Sequence, residues 1–153
     1  GAASAQKYIV VDSEKIFRSL ADYNTALSTL DNLAKEYQTK VDNAYAEVES
    51  LYNTYMAQKA NMTAAARNTR EQEILAKERA AAEFQESVFG NEGVMMKKRI
   101  ELIQPIQKRV FTAIENYAKS GGYDMVVDSA SNAAMLYHSE AVNHTQNIIE
   151  LLK

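Results

Sequence analysis

Between Ala21 and Phe89 the chain carries neither glycine nor proline, and its apolar residues fall at regular steps. Tyr23, Leu27, Leu30, Ala34, Tyr37, Val41, Ala44, Val48, Leu51 and Tyr55 are separated alternately by four and three. That is a heptad repeat, the spacing that keeps one seam of a helix turned toward a partner helix. It predicts a helix from Tyr23 to about Met62, on the order of 60 Å long at about 1.5 Å per residue. The pattern then breaks in "NMTAAARNT", where Asn61, Thr63, Asn68 and Thr69 are residues that cap helix ends. In "NTREQEIL", Asn68 or Thr69 is the expected cap of a return helix, with Glu71 and Glu73 in its first turn where acids suit the helix dipole. The tip of a helical hairpin is therefore placed near 61–69.

The return helix is polar at first, with apolar positions Ile74, Ala81, Phe84 and Val88. It strengthens through Ile100, Ile103, Ile106, Val110, Ala113 and Tyr117, and "KSGGY" closes it with glycines suited to a left-handed cap. Gly90 and Gly93 interrupt it. Glycine inside a helix costs about 1 kcal/mol relative to alanine, so the pair reads as a hinge or a tolerated bulge, and on the hinge reading alanine at both is expected to stabilise by up to about 2 kcal/mol. Pro105, the only proline, removes one helical hydrogen bond and predicts a kink.

Outside the hairpin the period changes to that of strands. "KYIVVD" at 7–12 is one short strand, and "GYDMVVDSASNAAMLYHS" at 122–139 reads as two more joined by a polar turn. Two antiparallel helices of similar length return the second group to the first. The fold class expected is α+β: a long, coiled-coil-like helical hairpin over 23–118, projecting from a small β body made of 1–22 and 119–153. A unit of that size is marginal as an independent core. Strands shared in an oligomer would cover open edges and bury Ile9, Val11, Met125, Val127, Met135 and Tyr137, which are the oligomerisation candidates.

Composition narrows the function classes. The 153 residues are 46% hydrophobic and 24% charged, an ordinary balance, and no run approaches the roughly 18 apolar residues of a membrane span. The opening "GAASAQK" is small and polar, so any secretory signal is expected to have been removed already. A net charge of −3 argues against nucleic acid as the main partner, because displacing counterions takes a basic face. With no cysteine there is no disulfide, thiol nucleophile or Cys-based metal site.

No catalytic constellation is visible either: "GxSxG" and a glycine-rich phosphate loop are both missing. His138 and His144 lack a spacing that would converge them on a metal, and they read as a strand-end and a first-turn residue. Asp12 and Asp128 each end a "VVD" run. An acid/base pair is one reading; Asp12 capping "SEKIFRSL" and Asp128 opening the turn "DSASN" is the plainer one. No catalytic, cofactor-binding or metal residue is assigned, and an enzyme is not expected. Tyr45, Tyr52, Met56 and Met62 on the outgoing helix, with Phe84, Phe89, Met95 and Met96 on the return, read either as seam packing or as an adaptable apolar lining. The basic cluster Lys97, Lys98, Arg99, with Lys108 and Arg109, reads first as a solvated face and is also the best candidate for meeting acidic lipid or client segments.

"YIVVDSEKIF", "IQPIQKRVFTAIENYAKSGGYDMVVD" and "AAMLYHSEAVNHTQNIIELLK" together resemble the Skp/OmpH family of periplasmic chaperones, and the element order over about 7–153 is similar. The resemblance implies a homotrimer whose β body carries three helical hairpins around a cavity that holds unfolded outer-membrane proteins without ATP. It makes the eight tyrosine, methionine and phenylalanine positions above candidates for client binding, and it implies the periplasm. The best-known members are strongly basic; this chain is mildly acidic, which argues against capture by net charge and against contact with a membrane surface or lipopolysaccharide. Where the family carries a pattern like Asp-x-Thr, this chain has Asn143, which still caps the last helix. The alternative is a structural coiled-coil adaptor for a fixed folded partner, which shares the heptads but needs no cavity or broad apolar lining.

Overall fold

The computed structural model describes residues 7–153; the opening residues 1–6 of the expected body, with most of "GAASAQK", lie outside them. The order is β1 (Tyr8–Val11), α1 (Ser13–Arg18), α2 (Ala21–Gln58), α3 (Ala64–Phe89), α4 (Val94–Gly121), β2 (Met125–Asp128) and α5 (Thr145–Leu151), with single turns of 3-10 helix at Lys59–Asn61 and Glu140–Val142. Long helices dominate and the sheet is small, which is the α+β class expected. The chain divides into two compact units, 1–28 with 101–153, and 29–100.

In the unit formed by 29–100, α2 and α3 run antiparallel. Tyr55 meets Glu71, Glu47 meets Lys77 and Tyr37 meets Phe84, so positions rise on one helix as they fall on the other. The heptad residues form the seam: Leu30, Val41 and Tyr55 are buried against Ile74, Ala81 and Val88, while Ala34, Tyr37, Ala44, Val48 and Leu51 are half-buried.

The reversal is earlier and tighter than the sequence pattern places it. Thr63, not Asn68 or Thr69, is the N-cap of α3, and its side chain accepts from the Ala66 amide at 3.1 Å. Three consecutive alanines, the best helix formers, extend the return helix back to Thr63, so Asn68 and Thr69 are already inside it. The Arg67 Nε donates at 2.9 Å to the Lys59 carbonyl, which also accepts from the Met62 amide at 3.2 Å, tying the 3-10 turn to α3.

The return path is two helices, not one flexible helix. α3 ends at Phe89, Gly90 caps it with φ −70° and ψ 172°, and the Gly93 amide donates to the Gly90 carbonyl at 3.0 Å before α4 begins. Neither glycine has a positive φ. What demands glycine is close approach: a Cβ on Gly93 would lie 2.6 Å from the Val88 carbonyl oxygen, and one on Gly90 2.5 Å from that of Glu86. The expectation that alanine would stabilise here is therefore reversed. Pro105 lies inside α4, which continues through it to Gly121.

The other unit holds the sheet. β1 and β2 pair in parallel, Tyr8 opposite Met125 through Val11 opposite Asp128. Among the described residues this sheet has two strands; residues 133–138, expected as a third strand in a hairpin, form none. The second edge of β1 is already taken. Val10 bridges Asn143, and the His144 amide donates to the Val10 carbonyl at 2.9 Å. The Asp12 amide donates to Thr145 Oγ1 at 2.9 Å, and that hydroxyl donates to Asn143 Oδ1 at 2.6 Å. Asn143 also accepts from the Thr145 amide, but the N-cap of α5 is His144, expected as a first-turn residue, and no side chain makes the cap bond. Ile9, Val10, Val11, Ile16, Ile148 and Ile149 form the core between sheet and helices. α4 closes as "KSGGY" predicts: Gly122 takes φ 70°, and the Tyr123 amide reaches the Ala118 carbonyl at 2.9 Å, the bonding of a Schellman cap.

Asp12 and Asp128 organise the start of α1. Asp12 is its N-cap, accepting from the Lys15 amide. Asp128 accepts from the Ser13 amide and hydroxyl, at 3.0 and 2.6 Å, and from the Ala130 amide and the Ser131 hydroxyl. Partial burial pushes the Asp128 carboxyl up, but these hydrogen bonds outweigh it and hold its pKa below the ordinary value.

Two outcomes are expected. Gly93→Ala destabilises by about 1–3 kcal/mol, the scale of forced overpacking, read as a lower denaturant midpoint; a gain in midpoint would contradict the close approach. For Asp128, a depressed folded pKa means its stabilisation is complete above the unfolded value of about 3.9 and disappears as pH falls through the folded one. Asp128→Asn therefore lowers stability at pH 7 by about 1–2 kcal/mol, the scale of a lost capping group, and flattens the decline between about pH 5 and 2 in denaturant melts.

Candidate functional site

The eight lining candidates do not share one surface. On α2, Tyr52 and Met56 are 51% and 50% exposed and meet Leu75 of α3, 50% exposed, in one open groove above the buried Tyr55 and Ile74. Its volume is 430 Å³, within the range of small-ligand pockets. The polar groups at its margin are Lys59, Glu71 and Glu78. Tyr55 donates to Glu71 at 2.5 Å, and that bond, followed by burial, holds the phenol above its ordinary pKa.

A second groove, of 210 Å³, collects Phe89, Met95 and Met96 around Leu30, Gly90 and Arg99. The glycine turn builds it: the short link between α3 and α4 brings Phe89 and Met95 to one place. Elsewhere the candidates are committed to local structure. Tyr45 donates to Gln85 at 3.3 Å, Phe84 packs on Tyr37 with ring centroids 6.3 Å apart, and Met62 is half-buried in the reversal. Leu75 is the groove residue that the sequence reading missed. It follows Ile74 directly, and a heptad pattern assigns only one of two adjacent apolar residues to the seam.

Among the oligomerisation candidates, Ile9 and Val11 are covered inside their own unit and Val127 is half-buried in the strand pair. Met125 is 56% and Tyr137 83% exposed, and Met135 is intermediate. Leu136, 96% exposed, was not anticipated, because alternation placed it on the opposite face of a strand that does not form.

The remaining polar candidates have separate tasks. His138 Nδ1 lies 3.2 Å from the Ser139 carbonyl, while His144 Nδ1 lies 2.5 Å from the Tyr117 hydroxyl, with Tyr117 and Tyr123 stacked beside it. Among the described residues no group of three or more His, Asp or Glu is placed to hold a metal, and no helix is long and apolar enough to cross a membrane. Of the basic cluster, Arg109 is held by Asp22 in a bidentate pair at 2.8 and 3.2 Å. The arrangement offers open apolar grooves on paired helices, suited to reversible contact with apolar chain segments.

The family model for outer membrane protein (OmpH-like) matches residues 7–152. This chain belongs to the OmpH-like family. Curated relatives it resembles include the chaperone protein Skp of Photorhabdus laumondii subsp. laumondii, 25% identical over 153 residues and covering 100% of this chain and 89% of the relative. The chaperone protein Skp of Yersinia enterocolitica is 22% identical over 152 residues, with 99% and 89% covered. The crystal structure of a protein described as an OmpH-like outer membrane chaperone, from Caulobacter crescentus, aligns with a TM-score of 0.75 at 10% identity, covering 99% of this chain and 86% of that one; at that identity the likeness is one of fold. The relatives are named as chaperones, not as enzymes.

Exposed lining and buried seam should separate in stability. Tyr52→Ser and Met56→Ser each stay within about 0.5 kcal/mol of the parent, as surface changes do. Ile74→Ala, in the seam, costs about 2–5 kcal/mol. Urea melts of the three variants check this, and a large loss at Tyr52 or Met56 would return them to the core.

Proposed function

We propose that this protein is a periplasmic holdase that keeps unfolded outer-membrane β-barrel proteins from aggregating, without nucleotide and without a covalent step. The observation that carries the reading is the collection of half-exposed Tyr, Met, Phe and Leu side chains into two open grooves on paired helices. Membership of the OmpH-like family supports it. Tyrosine and methionine contact varied apolar segments without fixed geometry. Many contacts of under about 1 kcal/mol each sum to a useful affinity and stay reversible. Holding a client also keeps its strand edges from pairing with others.

The working form in this proposal is a homotrimer. The exposed Met125, Leu136 and Tyr137, with Tyr8 on the same strand pair, favour self-association, since an apolar surface of this kind is seldom left to solvent. With a net charge of −3, client holding rests on apolar contact, and lipopolysaccharide binding is not part of the proposal.

Light scattering from an unfolded outer-membrane barrel protein, diluted with and without this chain and without nucleotide, tests the reading. Aggregation is delayed at low and high salt alike, because apolar contact survives screening. Changing Tyr52, Met56, Phe89 and Met96 together to serine shortens the delay while the particle mass stays at three chains. No delay at any stoichiometry would overturn the holdase, and a monomeric mass at micromolar concentration would overturn the trimer.

A further inference from the structure

The groove beside the reversal has a direction. Counting along the antiparallel pair, Met56 and Glu71 lie at one level, Tyr52 and Leu75 at the next, and Glu78 beyond them. Successive levels are three or four residues apart on each helix, about 4.5–6 Å at about 1.5 Å per residue. Same-face residues of an extended chain repeat every second position, about 6.5–7 Å. From Glu71 to Glu78 the groove advances about 10.5 Å and an extended segment from i to i+4 about 13–14 Å, a difference that the flexible glutamate and a long client side chain take up.

The charges at the two ends differ. Near the reversal, Glu71 is engaged by Tyr55, and Lys59 stands over the Tyr55 ring at 5.8 Å. At the other end Glu78 is exposed and has no ion-pair partner among the described residues. A cation on the segment finds a free carboxylate there, whereas an anion meets repulsion.

We infer that this groove selects extended client segments with apolar residues at i and i+2 and a lysine or arginine at i+4, read by Met56, by Tyr52 with Leu75, and by Glu78 in turn. The inference rests on the holdase reading and adds a sequence preference to it. The groove is a recognition site for the charge pattern flanking an apolar pair, not only a greasy surface.

The test uses the full chain with its methionine methyls labelled, so that Met56 reports beside the other five methionines. Two capped nine-residue peptides serve as probes, otherwise serine and threonine, with leucine at i and i+2 and either lysine or glutamate at i+4. The Met56 methyl titrates with both, and the lysine peptide binds about two- to fivefold more tightly, the range of an exposed ion pair. In Glu78→Lys the order reverses at Met56, while the Met95 and Met96 methyls respond as in the parent. A Met56 response indifferent to the i+4 charge, or a lysine preference that survives Glu78→Lys, overturns the inference. The aggregation assay is run on the same samples: loss of protection counts against the holdase, whereas intact protection with no charge preference counts against this inference alone.

Discussion

Two helices lying side by side bury only one stripe of each, and that limit shapes the pair formed by α2 and α3. Leu30, Val41, Tyr55, Ile74, Ala81 and Val88 take the stripe. Tyr52, Met56 and Leu75 lie off it and stay half-exposed. A globular domain would resolve this by adding a layer. Here the open flank remains, and Tyr52, Met56 and Leu75 occupy it without weakening the seam beneath. The seam and the open flank therefore draw on different residues of the same helices, neighbours in sequence in the case of Ile74 and Leu75.

In the unit with the sheet, the constraint is one of edges. β1 is only four residues long, yet it is used on both sides: β2 pairs along one edge, and Asn143, His144 and Thr145 attach to the other. Its three apolar residues are buried as a result. Thr145, 2% exposed, joins Asp12 to Asn143 through one hydroxyl, which fixes α5 against β1; among the described residues no strand pairs with the outer edge of β2.

Much of this was legible in the chain. A sustained four-three spacing is a strong signal, and the seam lies where Leu30 through Tyr55 put it. Residues with one clear local task, Asp12 as a cap and Gly122 at the left-handed closure, were equally readable. What failed were features decided by tertiary contact. "AAMLYH" has strand character, but in a hairpin it would pair with β2, and it forms no strand there. Gly90 and Gly93 were readable as a hinge or a tolerated bulge, but the gain expected from alanine on the hinge reading took no account of a carbonyl oxygen at 2.6 Å. Thr63 lost to Asn68 and Thr69 in the sequence reading because acids downstream marked a later first turn, while the alanines between carried the helix back. The grooves were half visible: their residue types stood out, but their division into two sites depends on the antiparallel pairing and on the glycine turn.

The parallel pairing of β1 with β2 has a consequence for folding. Tyr8 waits for Met125, and the other edge of β1 waits for Asn143. In a chain that emerges from its N-terminus, whether from the ribosome or across a membrane, β1 is exposed well before β2. Through that interval Ile9, Val10 and Val11 have no native cover, and contacts this distant in sequence form slowly even once both strands exist. A protein read as a guardian of unfolded chains is itself, until its last segments emerge, a chain with an uncovered apolar strand.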